Sequence, residues 1–413
     1  MRRIKSVALL VPVMLVVAMG LGAVALRMHS DTNVRASASL APGDYIYYVL
    51  KQSQGFVLAR ALKGTEGQPV SAPQVIASFN DAFGQVGGDA VLSMQLSPDG
   101  KYLAINGTRD HGEQVWVYDT EHMVMRLTPE NVMGNFLHWL PTGDRFLYRP
   151  MFPMGPDAPM DGNNGWNPGL WIVDAATGSH LNINIHMPSA FLVDAAPSPD
   201  GARIVYSTSK GLGLGSDTWL MNSTGGDQRH LFHLAGGAQS IAGLFTWSPD
   251  GKQIAYERIS DSPVPFLAAG LWVMNGVGNV GSRQRFLAQA DGGHGYAPVW
   301  SPDGTRIAFV ERTNLTDKQA DNSAQALRCG IAVADVASGR SWLVASPQQT
   351  NMQININPAW AANSASITFT SFVPMNTLIG AVPHYWSAEV MSAAMRPAVR
   401  SLAAPTMRIF AAG

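Results

Sequence analysis

The chain has 413 residues, 46% apolar and only 14% charged, which is enough to bury a core and excludes general disorder. Its 28 basic and 29 acidic residues leave a net charge of −1, so no basic field exists for a nucleic-acid backbone and that class of partner is excluded. The one cysteine, Cys329, excludes an internal disulfide, a CxxC zinc site and a thiol redox pair.

At the N-terminus, Arg2, Arg3 and Lys5 precede an uncharged apolar run, Val7 to Leu26. Its length of about 20 residues matches a membrane-spanning helix. Ala23-Val24-Ala25, however, has the small-residue pattern of a cleavage site. Residues 1–28 are therefore expected to be an N-terminal membrane helix or a cleaved signal peptide. Both readings predict one topology, with the cationic start in the cytoplasm and the rest extracytoplasmic, touching the membrane through this segment only. The polar stretch 29–39 reads as a linker to a domain covering 40–413.

A repeat follows. Ser97-Pro98-Asp99-Gly100 recurs as Ser198-Pro199-Asp200-Gly201, Ser248-Pro249-Asp250-Gly251 and Ser301-Pro302-Asp303-Gly304. Degenerate copies stand at Leu140-Pro141-Thr142-Gly143, Ala361-Ala362-Asn363-Ser364 and Leu40-Ala41-Pro42-Gly43, giving seven anchors about 50 residues apart. Six positions after each anchor stand Ile46, Leu103, Phe146, Ile204, Ile254, Ile307 and Ile367. Eight positions after stand Tyr48, Ile105, Tyr148, Tyr206, Tyr256, Phe309 and Phe369, so large apolar side chains two apart mark one face of a strand. Trp247, Trp300 and Trp360 directly precede their anchors, with Trp139 close to another, and Trp116, Trp171, Trp219 and Trp272 open a later strand.

Ser-Pro-Asp-Gly has a direct physical meaning. Pro presets the first corner of a turn, Asp bonds neighbouring backbone, and Gly takes the positive φ that closes a hairpin. Each unit thus reads strand A, tight turn, strand B, variable loop, strand C, tight turn, strand D. Four short antiparallel strands repeated at this period predict an all-β fold, a β-propeller of four-stranded blades, with seven blades expected and six the alternative. The first unit lacks a strand A. The tail Thr406-Met407-Arg408-Ile409-Phe410 is expected to supply it and close the ring, removing an open edge.

The repeats resemble the WD40-like (PD40) repeats of TolB-type β-propellers. The resemblance is carried by Ser97-Pro98-Asp99-Gly100-Lys101-Tyr102-Leu103-Ala104 with Val115-Trp116-Val117-Tyr118-Asp119, and by Trp300-Ser301-Pro302-Asp303-Gly304-Thr305-Arg306-Ile307-Ala308-Phe309. It covers about residues 40 to 405 and concerns the propeller alone, without TolB's N-terminal α/β domain or the peptidase domain of prolyl-oligopeptidase relatives. It implies a monomeric, non-catalytic scaffold of the cell envelope that binds a protein or peptide. The rival reading is a sensor, hydrolase or lyase handling a small molecule or glycan at the mouth of the propeller channel.

Topology predicts where binding falls. A–B and C–D turns lie at one end of each blade, and B–C and D–A connections at the other. The third B–C loop (about Arg149 to Gly169) and the sixth (about Thr313 to Gly330) are the long ones, and long loops on a rigid scaffold carry function. The third holds Met151, Phe152, Met154, Met160 and Trp166, suited to an adaptable docking surface, beside Asp157 and Asp161, which lack the spacing of a calcium loop. His111, His294 and His384 are expected in loops on the same face, near Glu113 and Tyr296. The expected binding set is therefore His111, Glu113, Asp157, Asp161, Trp166, His294, Tyr296 and His384, with no catalytic residue, metal ligand or cofactor assigned. Gly276-Val277-Gly278-Asn279-Val280-Gly281 matches a dinucleotide motif, but a strand rather than a helix is expected to follow, so it reads as a C–D turn.

Overall fold

The computed structural model describes residues 45–52, 55–64, 71–78, 90–109, 112–130, 132–153, 169–187, 190–211, 213–262, 264, 266–291, 296–373, 384–390 and 399–402. The first unit holds β1 (Tyr45–Gln52), β2 (Gly55–Leu62) and β3 (Gln74–Ser78). The second holds β4 (Ala90–Leu96), β5 (Tyr102–Arg109), β6 (Gly112–Asp119) and β7 (Val124–Leu127). The third holds β8 (Val132–Trp139), β9 (Arg145–Pro153), β10 (Leu170–Asp174) and β11 (His180–Ile183). The fourth holds β12 (Phe191–Pro197), β13 (Arg203–Ser209), β14 (Ser216–Asn222) and β15 (Arg229–Leu234). The fifth holds β16 (Ile241–Trp247), β17 (Gln253–Ile259), β18 (Ala269–Asn275) and β19 (Arg285–Ala290). The sixth holds β20 (Val299–Trp300), β21 (Arg306–Arg312), β22 (Cys329–Asp335) and β23 (Ser341–Ala345), followed by one helical turn, α1 (Pro347–Thr350). The seventh holds β24 (Ile354–Trp360), β25 (Ser366–Phe372), β26 (His384–Glu389) and β27 (Val399–Leu402).

The expected pattern of four strands holds for units two to five, each an antiparallel sheet in chain order. Among the described residues the first unit has three strands, β1-β2-β3, with no strand A. Units six and seven depart from separate sheets. A single parallel pair, Cys329 with Ile354, joins them into one eight-stranded sheet, and the Cys329 amide donates to the Gln353 carbonyl at 3.1 Å. The sixth strand A, β20, is only two residues long, and β24 packs against the strands beside it. The tail 406–410 and the apolar run 7–26 lie outside the described residues. Among the described ones, no helix is long and apolar enough to cross a membrane.

Burial explains why the sheets stack. The residues six and eight positions after the anchor are buried in every unit from the second to the seventh, from Leu103 and Ile105 to Ile367 and Phe369. They pack across to the neighbouring sheet as well as within their own. Ile204 and Tyr206 meet Leu147 of the sheet before, Ile254 and Tyr256 meet Val205, and Ile307 and Phe309 meet Ala255. Each hydrophobic cluster thus lies at a seam between consecutive sheets, and no sheet has a core of its own. The A strands β8, β12, β16, β20 and β24 touch one another in sequence, so they form the inner edge of the stack.

Two polar devices fix the stack. In the four intact anchors the Ser hydroxyl donates to the Asp carboxylate at 2.5–2.7 Å. It also accepts the backbone N–H five residues on at 2.9–3.0 Å, while Gly251 takes a φ of 67°. The tryptophans before the anchors tie sheet to sheet. The indoles of Trp139, Trp247, Trp300 and Trp360 donate to the carbonyls of Gln95, Ala196, Thr246 and Val299, each in the preceding A strand, at 2.9–3.1 Å.

Candidate functional site

The long-loop end is built from the ends of the B strands. In units two to four the ninth residue after the anchor faces the following sheet, where strand A carries a β-bulge. A bulge frees backbone groups from the ladder, and a polar side chain reaches them. Asn106 accepts from the Phe136 amide at 2.9 Å and donates to its carbonyl at 3.1 Å. Arg149 donates to Asn135 at 2.7 Å and to the Val193 carbonyl at 2.8 Å. Ser207 donates to the Ala242 carbonyl at 2.6 Å. In the fifth sheet this position is Glu257, with no surface exposed and neither carboxylate oxygen bonded to a described residue.

Charge gathers at the same end in two separate groups. Across sheets two to four, Glu113 on β6 faces Arg149, and Arg149 also feels Asp194 on β12, as does His138 on β8. Dehydration raises the Glu113 carboxyl above its ordinary value, and Arg149 partly opposes that rise. Dehydration also lowers the His138 imidazole, favouring its neutral form. Around the sixth sheet, Asp291, only 2% exposed, bonds the Cys329 thiol and acts on Glu257 on one side and Tyr296 on the other. Burial and then the Asp291 charge push the Tyr296 phenol and the Cys329 thiol upward.

The sixth B–C loop, 313–328, is ordered by its own polar bonds. Arg312, 1% exposed, pairs with Asp321 at 2.8 Å and donates to the carbonyls of Phe266 at 2.6 Å and Asp317 at 3.0 Å. Asn314 accepts the Arg328 amide at 3.0 Å and donates to the Ala326 carbonyl at 2.8 Å, closing the loop on itself. Lys318, Gln319, Asn322, Ser323, Gln325 and Arg328 line an open depression of about 770 Å³ on this loop.

Of the residues expected at the site, His111, Asp157, Asp161, Trp166 and His294 lie outside the described ones. His384 does not sit in a loop. It opens β26, paired with Ser371, because the register of β25 runs to its end. Glu113 and Tyr296 fall at the expected end but in different groups, the first beside Arg149 and the second beside Asp291 and Cys329. Sequence reasoning missed Arg149, Asp194, Glu257, Asp291 and Arg312. The signal was there for two of them: a charge at the ninth position of an otherwise apolar strand B. Among the described residues no group of three His, Cys, Asp or Glu side chains is placed to hold a metal ion. The stretch 276–281 connects β18 to β19, the turn expected of it, with Gly278 and Gly281 at φ values of 65° and 79°.

Sheets stacked face to face along the chain, with one core per seam and the A strands inward, define a β-propeller fold. No protein-family model matches the sequence, and no curated protein matches it. Solved structures match in shape. An oligogalacturonate lyase in complex with manganese superposes with a TM-score of 0.54 at 14% identity, over 85% of this chain and 87% of that one. A prolyl endopeptidase does so with a TM-score of 0.55 at 13% identity, over 89% of this chain and 49% of that one. TolB from Acinetobacter baumannii is matched at 16% identity with a TM-score of 0.45, over 73% of this chain and 64% of TolB, less than two thirds of it. At these identities the likeness is one of fold.

Proposed function

We propose that the chain is an extracytoplasmic, seven-bladed propeller, closed by its C-terminal tail, that binds a protein or peptide through its long-loop end without catalysis. The observation that carries this reading is the loop 313–328. A surface loop fastened by a buried Arg312–Asp321 pair is ordered before it meets a partner, so docking loses little conformational entropy there. Its exposed amides and cation ring an open, polar depression, the shape and chemistry of a rim that takes main-chain and side-chain hydrogen bonds. The basic N-terminal start and the apolar run after it support export.

The test is capture from envelope extract by the full chain and by Gln319→Ala/Asn322→Ala/Gln325→Ala, three exposed substitutions that touch neither Arg312 nor Asp321. Loss of a partner with an unchanged melting temperature supports the reading; retention of every partner overturns it. Deletion after Pro405 tests closure, because an unpaired inner edge should lower the melting temperature sharply.

One observation favours a second reading, a small-molecule or glycan site. Glu113, Arg149, Asp194 and His138 bring opposite charges together at the same end of the blades. A ligand there would bind less well to Glu113→Gln and equally well to the loop triple variant.

A further inference from the structure

The fifth-to-sixth seam departs from the three before it. At three earlier seams the ninth-position side chain ends on the A strand of the next sheet, through Asn106, Arg149 and Ser207. Glu257 stands at that position in the fifth sheet and finds no such partner among the described residues. The A strand that would receive it, β20, has two residues, whereas β4, β8, β12, β16 and β24 have seven or eight. What faces Glu257 instead is a second acid. Asp291 is almost as buried, its amide held by the Val310 carbonyl at 2.9 Å and its carboxylate against the Cys329 thiol.

Two carboxyl groups in a dry seam, one of them with no donor among the described residues, are stable together only if the pair carries a proton. We propose that this seam is a proton-dependent latch, closed while Glu257 is protonated and loosened when Glu257 ionises beside Asp291. The surrounding groups support it. Dehydration, and after it the Asp291 charge, holds the Glu257 carboxyl well above the ordinary carboxylate range. Arg258, next on β17, turns away and stacks on Trp272 at 3.6 Å. From the crossing between sheets come Asp291 and Tyr296, from β22 comes Cys329, and both the phenol and the thiol are raised and so uncharged near neutrality. From β21 come Glu311, raised by dehydration, and Arg312, whose guanidinium bonds Asp321 and two backbone carbonyls. Arg312 and Arg328 act on the Cys329 thiol in the lowering sense, and neither outweighs burial and Asp291. The sign follows. The folded state binds this proton more tightly than the unfolded chain does, so the seam's stability is complete below the ordinary carboxylate range. It is lost as pH rises through the raised value.

Cys329 reports the latch through its bond to Asp291: it is the only cysteine in the sequence and is fully buried, on the face of β22 that packs against the seventh sheet. The experiment measures labelling of the native full-length chain with an uncharged thiol reagent across pH. Each rate is divided by that of the urea-unfolded chain at the same pH, which removes the thiol's own ionisation. The corrected rate should rise with pH, approaching about tenfold per unit where one proton is lost on opening, and should stay flat in Glu257→Gln. Parallel profiles for the two proteins, or no rise in the native chain, overturn the proposal. Asp291→Asn gives a check that does not alter Glu257: removing the neighbouring charge should move the rise to lower pH, and an unmoved rise counts against the latch.

Discussion

Ser207 and Glu257 occupy the same place in consecutive blades, and they meet different fates. Ser207 ends on the Ala242 carbonyl in a full-length A strand, while Glu257 faces a two-residue strand and another acid. Both seams share the rest of their construction, an apolar core and a tryptophan donating to the strand before it. The comparison separates two layers of the design. The repeat sets where a side chain points, and the length of the receiving strand decides whether it is satisfied. A blade boundary can therefore be held by its core and its indole while its polar lock is left open to a proton.

The largest effect should be common to both seams. Trp247→Ala and Trp300→Ala each remove a buried indole, 7% and 6% exposed, together with its bond to Ala196 or Thr246. Each should cost about 3–5 kcal/mol in urea unfolding, and a large difference between them would break the claim of shared construction. Next comes Asn106→Ala, which strands both the amide and the carbonyl of Phe136. A loss of about 2–4 kcal/mol is expected, at the upper range for two abandoned backbone groups. Ser207→Ala should cost about 1–2 kcal/mol, since one carbonyl is left unpaired. Glu257→Gln, the matching change at the open seam, should cost less than Ser207→Ala near neutral pH, because the native side chain has no bond to a described residue to lose.

Acidity sharpens the contrast further. In the turns, hydrogen bonds from Ser198 and Ser248 and from nearby amides lower Asp200 and Asp250. At Asp303, dehydration works the other way but is outweighed by Ser301 and Thr305, which hold the carboxyl down at about 2. These exposed turns contribute stability that is present above the ordinary carboxylate range and fades as pH falls toward about 2. Glu257 has the opposite slope, losing stability as pH rises. A stability profile of Glu257→Gln should therefore differ from the native one on the neutral and alkaline side and coincide with it in acid.

Much of this was legible in the sequence because it is local and repeated. Ser-Pro-Asp-Gly encodes its own turn, and the alternation of Ile254 with Tyr256 encodes which face is buried. The tryptophans before the anchors stood out, though not their acceptors, which lie in another blade. The ninth position escaped notice because Asn106, Arg149, Ser207 and Glu257 share no chemistry. They share only a direction, and that becomes visible once the neighbouring strand is placed. Convergence of site residues is a long-range property too. His384 was expected in a loop and opens a strand, since the loop length before it does not fix the register. Glu113 and Tyr296, grouped by end of blade, meet different partners because blades two and six are far apart in the order of stacking.

Hydrogen exchange of the full-length chain compares the two seams in one sample. After correction for intrinsic rates, amides of 203–209 should keep constant protection from just above the ordinary carboxylate range to alkaline pH. Those of 253–259 and 329–335 should lose protection as pH rises, and Glu257→Gln should restore it. Protection that falls equally in all three segments, or in none, would contradict the account.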